Sequence, residues 1–331
     1  MRLFKLLRIL AALALLGWLI NRVGHTDLLE RIRDARVELL LLALVIIVLD
    51  GLLRALNWRQ LIVAKRLAPQ VPYGKLLACF WSSSFLGQVI PSTAGTDALR
   101  VLSASRAIGG SMGAHAAAIV LLNAISLFAG CLIGLVCLPF LGLAQGGASG
   151  LRPAVAVLFG TAVLGAISVY LLVKYQRGFA LRLLRKLRGR KGFKLRRGLR
   201  RFMGNLLVFD RYATRALPVF GVACLTLLTR SAAFAFAGAA VHLQLPVLAW
   251  LTLTPSIMLS GLVPYSVAGY GGDQAASVYF LTGFGALPAK ALALALLMPL
   301  VPMSFNLLGA IPLLLGKIEK QTDGHGTGST S

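Results

Sequence analysis

Long apolar runs, separated by short polar or basic segments, make up most of this chain. As a helix rising about 1.5 Å per residue, each run is long enough to cross about 30 Å of hydrocarbon. The pattern therefore predicts an all-α polytopic membrane protein. Its six predicted transmembrane helices lie at about 3–21, 38–56, 112–142, 153–174, 214–241 and 286–316.

Two shorter apolar stretches, 75–90 and 246–263, are each followed by a small polar turn and a second short apolar piece. A helix of either length is short for a full crossing. We therefore predict two re-entrant helical hairpins, each of which enters the membrane and returns on the same side.

The two turns resemble each other and lie at corresponding positions of the two halves of the chain. The first reads Gly87-Gln-Val-Ile-Pro91-Ser-Thr-Ala-Gly95-Thr-Asp97, and the second reads Pro264-Tyr-Ser-Val-Ala-Gly269-Tyr-Gly-Gly-Asp273. Paired interruptions of this kind are typical of transporters built from internal repeats, whose site lies at the interruptions. Two unrelated Pro-Gly breaks are the alternative. We expect one membrane domain, 1–318, with repeat halves 38–142 and 214–316, a basic loop 175–213 and a disordered tail 319–331.

Charge between the apolar runs sets the expected orientation. Residues 174–215 carry fifteen Lys or Arg against one acid, whereas 143–152 and 242–246 hold one basic residue together. By the positive-inside rule the first segment is cytoplasmic and the other two face outside. Six crossings and two returning hairpins satisfy this arrangement in a bacterial inner membrane, with both termini cytoplasmic. The hairpins then open to opposite sides, so the repeat is inverted.

Composition agrees with a membrane protein and argues against other classes. The chain is 58% hydrophobic, its mean hydropathy is +0.82 and its formal net charge is +24. Because the positive charge lies in loops beside anionic lipid, we do not expect nucleic acid as a partner. The four cysteines lie in apolar segments without a CxxC pair. Hydrolase, ATPase and transferase motifs are absent, so we expect no enzymatic activity, no metal and no cofactor.

Open turns and ionisable side chains at membrane depth are costly, which makes them candidate site residues. Arg230, in the middle of a span, is the strongest candidate for holding a phosphate, and an ion pair with an aspartate is its alternative. Asp97 and Asp273 either take part in transport or cap their own helices. The candidate substrate-binding residues are Pro91, Ser92, Gly95, Thr96, Asp97, Arg100, Arg230, Pro264, Tyr265, Gly269, Tyr270, Gly271 and Asp273.

Other polar residues in apolar runs have structural interpretations. Asp50 and Arg54 lie at positions i and i+4 on one helical face, so we expect a structural ion pair between them. His115 is expected to be hydrogen-bonded within its surroundings, and Asn123 and Lys290 are weaker candidates.

Three segments resemble a known family in order and spacing: Arg54-Ala-Leu-Asn-Trp58, the turn from Val89 to Arg100, and the turn from Pro264 to Gly271. They are similar to the flippase-like transmembrane domain of the lysylphosphatidylglycerol synthase family, over residues 4 to 318. The resemblance implies movement of an anionic or aminoacylated phospholipid, or of a glycolipid, between leaflets.

The chain departs from that family at two points. The family usually has an acidic-arginine pair where this chain has Leu122-Asn123, and Gly-x-Gly-x-Arg-Glu where this chain has Gly269-Tyr-Gly-Gly-Asp273-Gln274. The altered charges leave the substrate open. The sequence after residue 316 shows no synthase domain, so we do not expect the resemblance to extend to lysyl-tRNA-dependent synthesis.

The function we expect is a lipid translocase that moves an anionic phospholipid or glycolipid between inner-membrane leaflets. The alternative is a non-transporting scaffold subunit of an envelope-lipid or glycan pathway. Membrane lipids with anionic headgroups are the expected partners, and a second copy of the chain or a lipid-modifying enzyme are candidate protein partners.

Overall fold

A computed structural model describes residues 30–64, 71–88, 93–144, 151–175, 213–260 and 272–314. Regular structure in these segments is helical, as predicted. The helices are α1 Val37–Ala64, α2 Tyr73–Gly87, α3 Thr93–Ala107, α4 Met112–Ala144, α5 Leu151–Tyr175, α6 Ala213–Ala240, α7 Val247–Ser260, α8 Gly272–Gly283, α9 Pro288–Asn306 and α10 Ala310–Leu314, with a 3-10 turn at Leu307–Gly309.

Among the described residues, four helical stretches are long and apolar enough to cross a membrane, namely Val37–Val63, Met112–Phe140, Leu217–Ala240 and Pro288–Pro312. They match four of the six predicted spans, so the chain is a multi-pass membrane protein. The predicted span 153–174 is the single helix α5. The first predicted span, the core of the basic loop and the tail lie outside the described residues.

The most extensive helix contact is between α1 and α6, which run antiparallel. The N–H of Arg36, just before α1, donates 3.0 Å to the carbonyl of Ala240 at the end of α6. Farther along α1, Trp58 packs in one apolar cluster with Val219, near the start of α6. Buried alanines at Ala233, Ala237 and Ala240 recur at helical spacing. Small residues on one face let two membrane helices approach closely.

The helices α2 and α3 form an antiparallel hairpin. A Cβ atom added to Gly87 would press against the side chain of Thr96. Toward the open end, Ser84 accepts a hydrogen bond from Arg100, and Cys79 Sγ lies 3.9 Å from the carbonyl oxygen of Ser103. Each helix has 15 residues, or about 22 Å, which is shorter than the hydrocarbon core of about 30 Å.

The helices α7 and α8 pack on each other in the second half of the chain and are also short, with 14 and 12 residues. The helix α7 also contacts α4, just as α2 contacts α9. The contacts of α1 with α2, and of α3 with α4, have counterparts in those of α6 with α7, and of α8 with α9.

Four helix boundaries of the first half recur 176 residues later in the second half, and we call this difference in residue number the repeat shift. It carries both ends of α1, Val37–Ala64, onto both ends of α6, Ala213–Ala240. The same shift relates the end of α3 to the end of α8, and the start of α4 to the start of α9. It also relates Gly109 to Gly285, in the turns before α4 and α9, whose φ values are +80° and +91°. Both turns use a left-handed conformation that favours glycine.

Candidate substrate site

Five charged side chains from α1, α3 and α6 form one group around Arg54. They are Asp50 and Arg54 on α1, Asp97 and Arg100 on α3, and Arg230 on α6. Arg54 is within electrostatic range of the other four. Charges are expensive at membrane depth and are usually functional there, so this group is the candidate site.

Asp50 and Arg230 form an ion pair across the α1–α6 contact. Arg230 Nη2 donates 2.6 Å to Asp50 Oδ2, and Arg230 Nη1 lies 3.8 Å from Met258 Sδ. Asp50 is only 3% exposed, and its second oxygen, Oδ1, is buried without a hydrogen-bond partner among the described residues. The alternative given for Arg230, an ion pair with an aspartate, is therefore present in the structure.

This geometry corrects the predicted partner of Asp50. We expected Arg54, one turn along the same helix, whereas the structure pairs Asp50 with Arg230. The reason is that α6 packs directly against α1 and presents a guanidinium to the carboxylate from the facing helix.

Arg54 is consequently left without a partner in the described part of the chain, where it donates no hydrogen bond and joins no ion pair. It lines a cavity of about 20 Å³, which holds one water-sized group, so a larger ligand needs the surrounding helices to move apart before it can enter. A guanidinium stays charged and offers donors that match two oxygens of a phosphate or carboxylate. The cavity is lined by Asp50, Arg54, Ser126, Ala223, Thr226, Leu227, Arg230 and Met258.

The repeat shift relates the residues of this cavity in pairs. Arg54 corresponds to Arg230, and Asp50 corresponds to Thr226. All four line the same cavity. The bond from Arg230 to Asp50 therefore has an equivalent position between Arg54 and Thr226. Because residue 226 is a threonine, Arg54 meets no carboxylate there.

The second ion pair belongs to the hairpin. Arg100 Nη1 donates 2.9 Å to Asp97 Oδ1, and Asn123 Nδ2 donates 2.7 Å to Asp97 Oδ2. Arg100 Nη2 donates 3.1 Å to Ser84 Oγ, and the guanidinium carbon lies 4.6 Å from the Phe80 ring centroid. The helix α3 begins at Thr93, so Asp97 lies one turn inside it and does not cap it.

The other predicted site residues divide into two groups. Gly95 and Thr96 lie in the first turn of α3, and Asp273 lies in the first turn of α8, where its side chain is outside the described residues. Seven more lie entirely outside the described residues, namely Pro91, Ser92, Pro264, Tyr265, Gly269, Tyr270 and Gly271.

Sequence reasoning assigned Arg54 to an ion pair and not to the candidate substrate site, and it did not consider Ser126 or Thr226. A signal was available, because Ser126 follows Asn123 at the i+3 position and Arg230 follows Thr226 at the i+4 position. Residues at these spacings share a helix face. The repeat shift, applied to Arg230, would also have identified Arg54.

Two of the remaining polar candidates hold turns. His115 Nε2 lies 2.7 Å from the carbonyl oxygen of Gly109, and Lys290 Nζ donates 2.6 Å to the carbonyl of His242. In the described residues, no three His, Cys, Asp or Glu side chains come together in a way that could hold a metal ion.

Comparison with known families gives a match that covers most of the chain. The family described as the lysylphosphatidylglycerol synthase TM region matches residues 5–309. The chain belongs to this family. A comparison with curated proteins finds no match. Membership in the lysylphosphatidylglycerol synthase TM region family indicates a lipid-related role in the membrane, and the matched range includes every residue of the charged group.

Proposed function

We propose that this protein is a lipid translocase that moves lipids with anionic headgroups between the leaflets of a bacterial inner membrane. The single observation that carries the proposal is the guanidinium of Arg54, which has no partner among the described residues and lines a cavity between α1 and α6 in a membrane protein. The protein would bind and move its lipid without catalysing a reaction and without hydrolysing nucleotide.

The charge of the group supports an anionic ligand. Three arginines against two aspartates leave one positive charge in the described part of the site. An unpaired buried charge is strongly unfavourable, and removal of one partner from a buried pair destabilises proteins by about 3–5 kcal/mol. A headgroup phosphate would supply the missing counter-charge at Arg54.

The arrangement of helices supports transport through an inverted repeat. We propose six crossings and two re-entrant hairpins, α2–α3 and α7–α8, with both termini cytoplasmic. The equivalent helices α1 and α6 run antiparallel, as two halves inserted in opposite orientations require. In such transporters, alternating access comes from rocking of the halves around a fixed site near the membrane midplane.

The location of the cavity fits this mechanism. Its lining pairs, Arg54 with Arg230 and Asp50 with Thr226, come from equivalent positions of the two halves. A cavity formed in this way lies on the axis that relates the halves. A ligand there would lie between the two halves, so it would become accessible from either side as the halves move.

Transport by the purified protein in liposomes tests the proposal. Vesicles containing acyl-chain-labelled fluorescent phosphatidylglycerol are treated with dithionite, which bleaches only the outer leaflet. We expect the wild-type protein to expose the inner-leaflet lipid at least tenfold faster than empty vesicles do. We expect Arg54→Gln to lose most of that rate.

Arg106→Gln is the matched control, because Arg106 is an exposed arginine at the end of the hairpin helix α3. It should transport at the wild-type rate. A wild-type rate equal to that of empty vesicles would contradict translocation and favour the scaffold alternative.

A further inference from the structure

We infer that the site selects a lipid with one negative charge on its phosphodiester and an uncharged, hydroxyl-bearing headgroup, and that it rejects headgroups that carry an ammonium group. This inference rests on the proposed function and names the substrate class of the same cavity. It follows from the pairing of each aspartate in the described part of the site with an arginine, which leaves Arg54 as the one guanidinium there without a carboxylate.

Each aspartate of the charged group already has its own arginine. Asp50 Oδ2 accepts a hydrogen bond from Arg230 at 2.6 Å, and Asp97 Oδ1 accepts one from Arg100 at 2.9 Å. The second oxygen of Asp97 is also occupied, by the amide of Asn123. The oxygen Oδ1 of Asp50 has no hydrogen bond among the described residues, but Arg230 already balances the charge of that carboxylate. An ammonium entering the cavity would therefore gain no unbalanced negative charge from the described residues, while Arg54 would repel it.

The other polar groups of the cavity suit a hydroxylated headgroup. Thr226 Oγ1 donates 2.8 Å to the carbonyl of Ala223, so its lone pairs remain able to accept. In the described part of the chain the hydroxyl of Ser126 has no hydrogen-bond partner. Neutral hydroxyls of this kind bind a glycerol or sugar headgroup without adding charge.

Thr226 sets the charge of the cavity. At the equivalent position in the first half stands Asp50, which neutralises Arg230. An aspartate at 226 would neutralise Arg54 in the same way and would remove the net positive charge. Threonine at this position therefore leaves the cavity selective for anions.

The test compares three acyl-labelled lipids in the same proteoliposomes. They are phosphatidylglycerol, phosphatidylcholine and lysylphosphatidylglycerol, whose net charges are negative, zero and positive. We expect the wild-type protein to move phosphatidylglycerol at least tenfold faster than either of the others. Equal rates for all three would overturn the inference and leave the proposed translocation intact.

A matched pair of variants tests whether the positive charge of the cavity causes the lipid preference. Thr226→Asp should reduce phosphatidylglycerol transport at least tenfold and abolish the preference, whereas Thr226→Asn, of the same shape and without charge, should keep it. If Thr226→Asp does not fold, Arg54→Gln provides the same test, because it also removes the net positive charge. Retention of the full preference in both charge-removing variants would contradict the assignment.

A binding measurement separates the two proposals. Purified protein in neutral detergent is heated with short-chain phosphatidylglycerol or short-chain phosphatidylcholine, and the midpoint of thermal unfolding is recorded. We expect stabilisation by the first lipid alone. If this selectivity appears but no lipid crosses the liposome membrane, the substrate class stands and translocation fails. If both lipids stabilise equally, the substrate class fails.

Discussion

The two halves of the protein place the same residue at the same position and give it different surroundings. Arg230 in the second half donates 2.6 Å to Asp50, whereas Arg54 in the first half has no partner among the described residues. The difference comes from one further pair of equivalent positions, Asp50 and Thr226. A repeated fold thus creates two similar arginine sites, of which the one at Arg230 is closed by Asp50 and the one at Arg54 stays available to a ligand.

The arginines of the charged group therefore differ in what they do for the fold. The pair at Arg230 joins α1 to α6, and the pair at Arg100 secures a hairpin that Ser84, Asn123 and Phe80 also support. Arg54 contributes no bond to the fold in the described residues. In the function that we propose, the headgroup of the lipid supplies its counter-charge.

The largest loss of stability is expected when Arg230 loses its carboxylate and so becomes unpaired, as Arg54 is among the described residues. Asp50→Asn removes the counter-charge of Arg230 and leaves two arginines without carboxylates. Because Asp50 is 3% exposed, we expect a loss of stability of about 3 kcal/mol or more. Thermal unfolding in detergent, followed by tryptophan fluorescence, measures this loss.

Asp97→Asn is the comparison variant in the hairpin. The side chain of Asp97 is 26% exposed and the neighbouring polar groups remain, so the loss should stay near about 1 kcal/mol. If the two variants lose the same stability, the ion pair between α1 and α6 contributes no more than the ion pair in the hairpin, which would contradict this prediction.

The next prediction exchanges the residues at two equivalent positions of the halves, 50 and 226. In the double variant Asp50→Thr, Thr226→Asp, Arg54 gains a carboxylate and Arg230 loses one, which rebuilds the site as its mirror arrangement. We expect either single variant to lose at least nine-tenths of phosphatidylglycerol transport and the double variant to recover a substantial part of it. Dithionite bleaching in proteoliposomes measures the rates.

Recovery in the double variant requires the two positions to be equivalent. Losses that simply multiply in the double variant would indicate that the positions act independently, and the relation between the halves would then have no functional meaning at this site.

The smallest loss of stability is expected from alanine substitutions in the two glycine turns. Gly109 and Gly285 have φ of +80° and +91°, and an added Cβ meets no atom within 4 Å at either position. Alanine at each should therefore cost only the conformational strain, about 1 kcal/mol, and about the same in both halves.

Gly221→Ala is the control, because Gly221 lies inside α6 with nothing within 4 Å of an added Cβ. Alanine there should be neutral or slightly stabilising, since it is the better helix former. A large difference between Gly109→Ala and Gly285→Ala would show that the two turns are not equivalent.

Much of the fold could be predicted from the sequence because the controlling properties are local. A run such as that in α1 is apolar over its whole length, and its length against about 30 Å of hydrocarbon indicates a crossing. The hairpin α2–α3 was predictable for a similar reason. Its first apolar run is short for a crossing and is followed by a polar turn and a second short apolar run, which together predict two short helices joined by a turn.

The partner of Asp50 could not be predicted in this way. Helical spacing favours the residue one turn away, which is Arg54, but the actual partner lies 180 residues along the chain. That contact depends on the register in which α1 packs against α6, which no local pattern contains. Asn123 was ranked low for a similar reason, because its hydrogen bond to Asp97 exists only once α4 packs on α3.

The measurement that tests the central claim most directly is a cryo-electron microscopy structure of the protein in nanodiscs containing phosphatidylglycerol. We predict density for a lipid phosphate about 3 Å from the guanidinium of Arg54, with Asp50 still bound to Arg230. A carboxylate of the protein bound to Arg54 in that structure, with no lipid phosphate in the cavity, would contradict the claim.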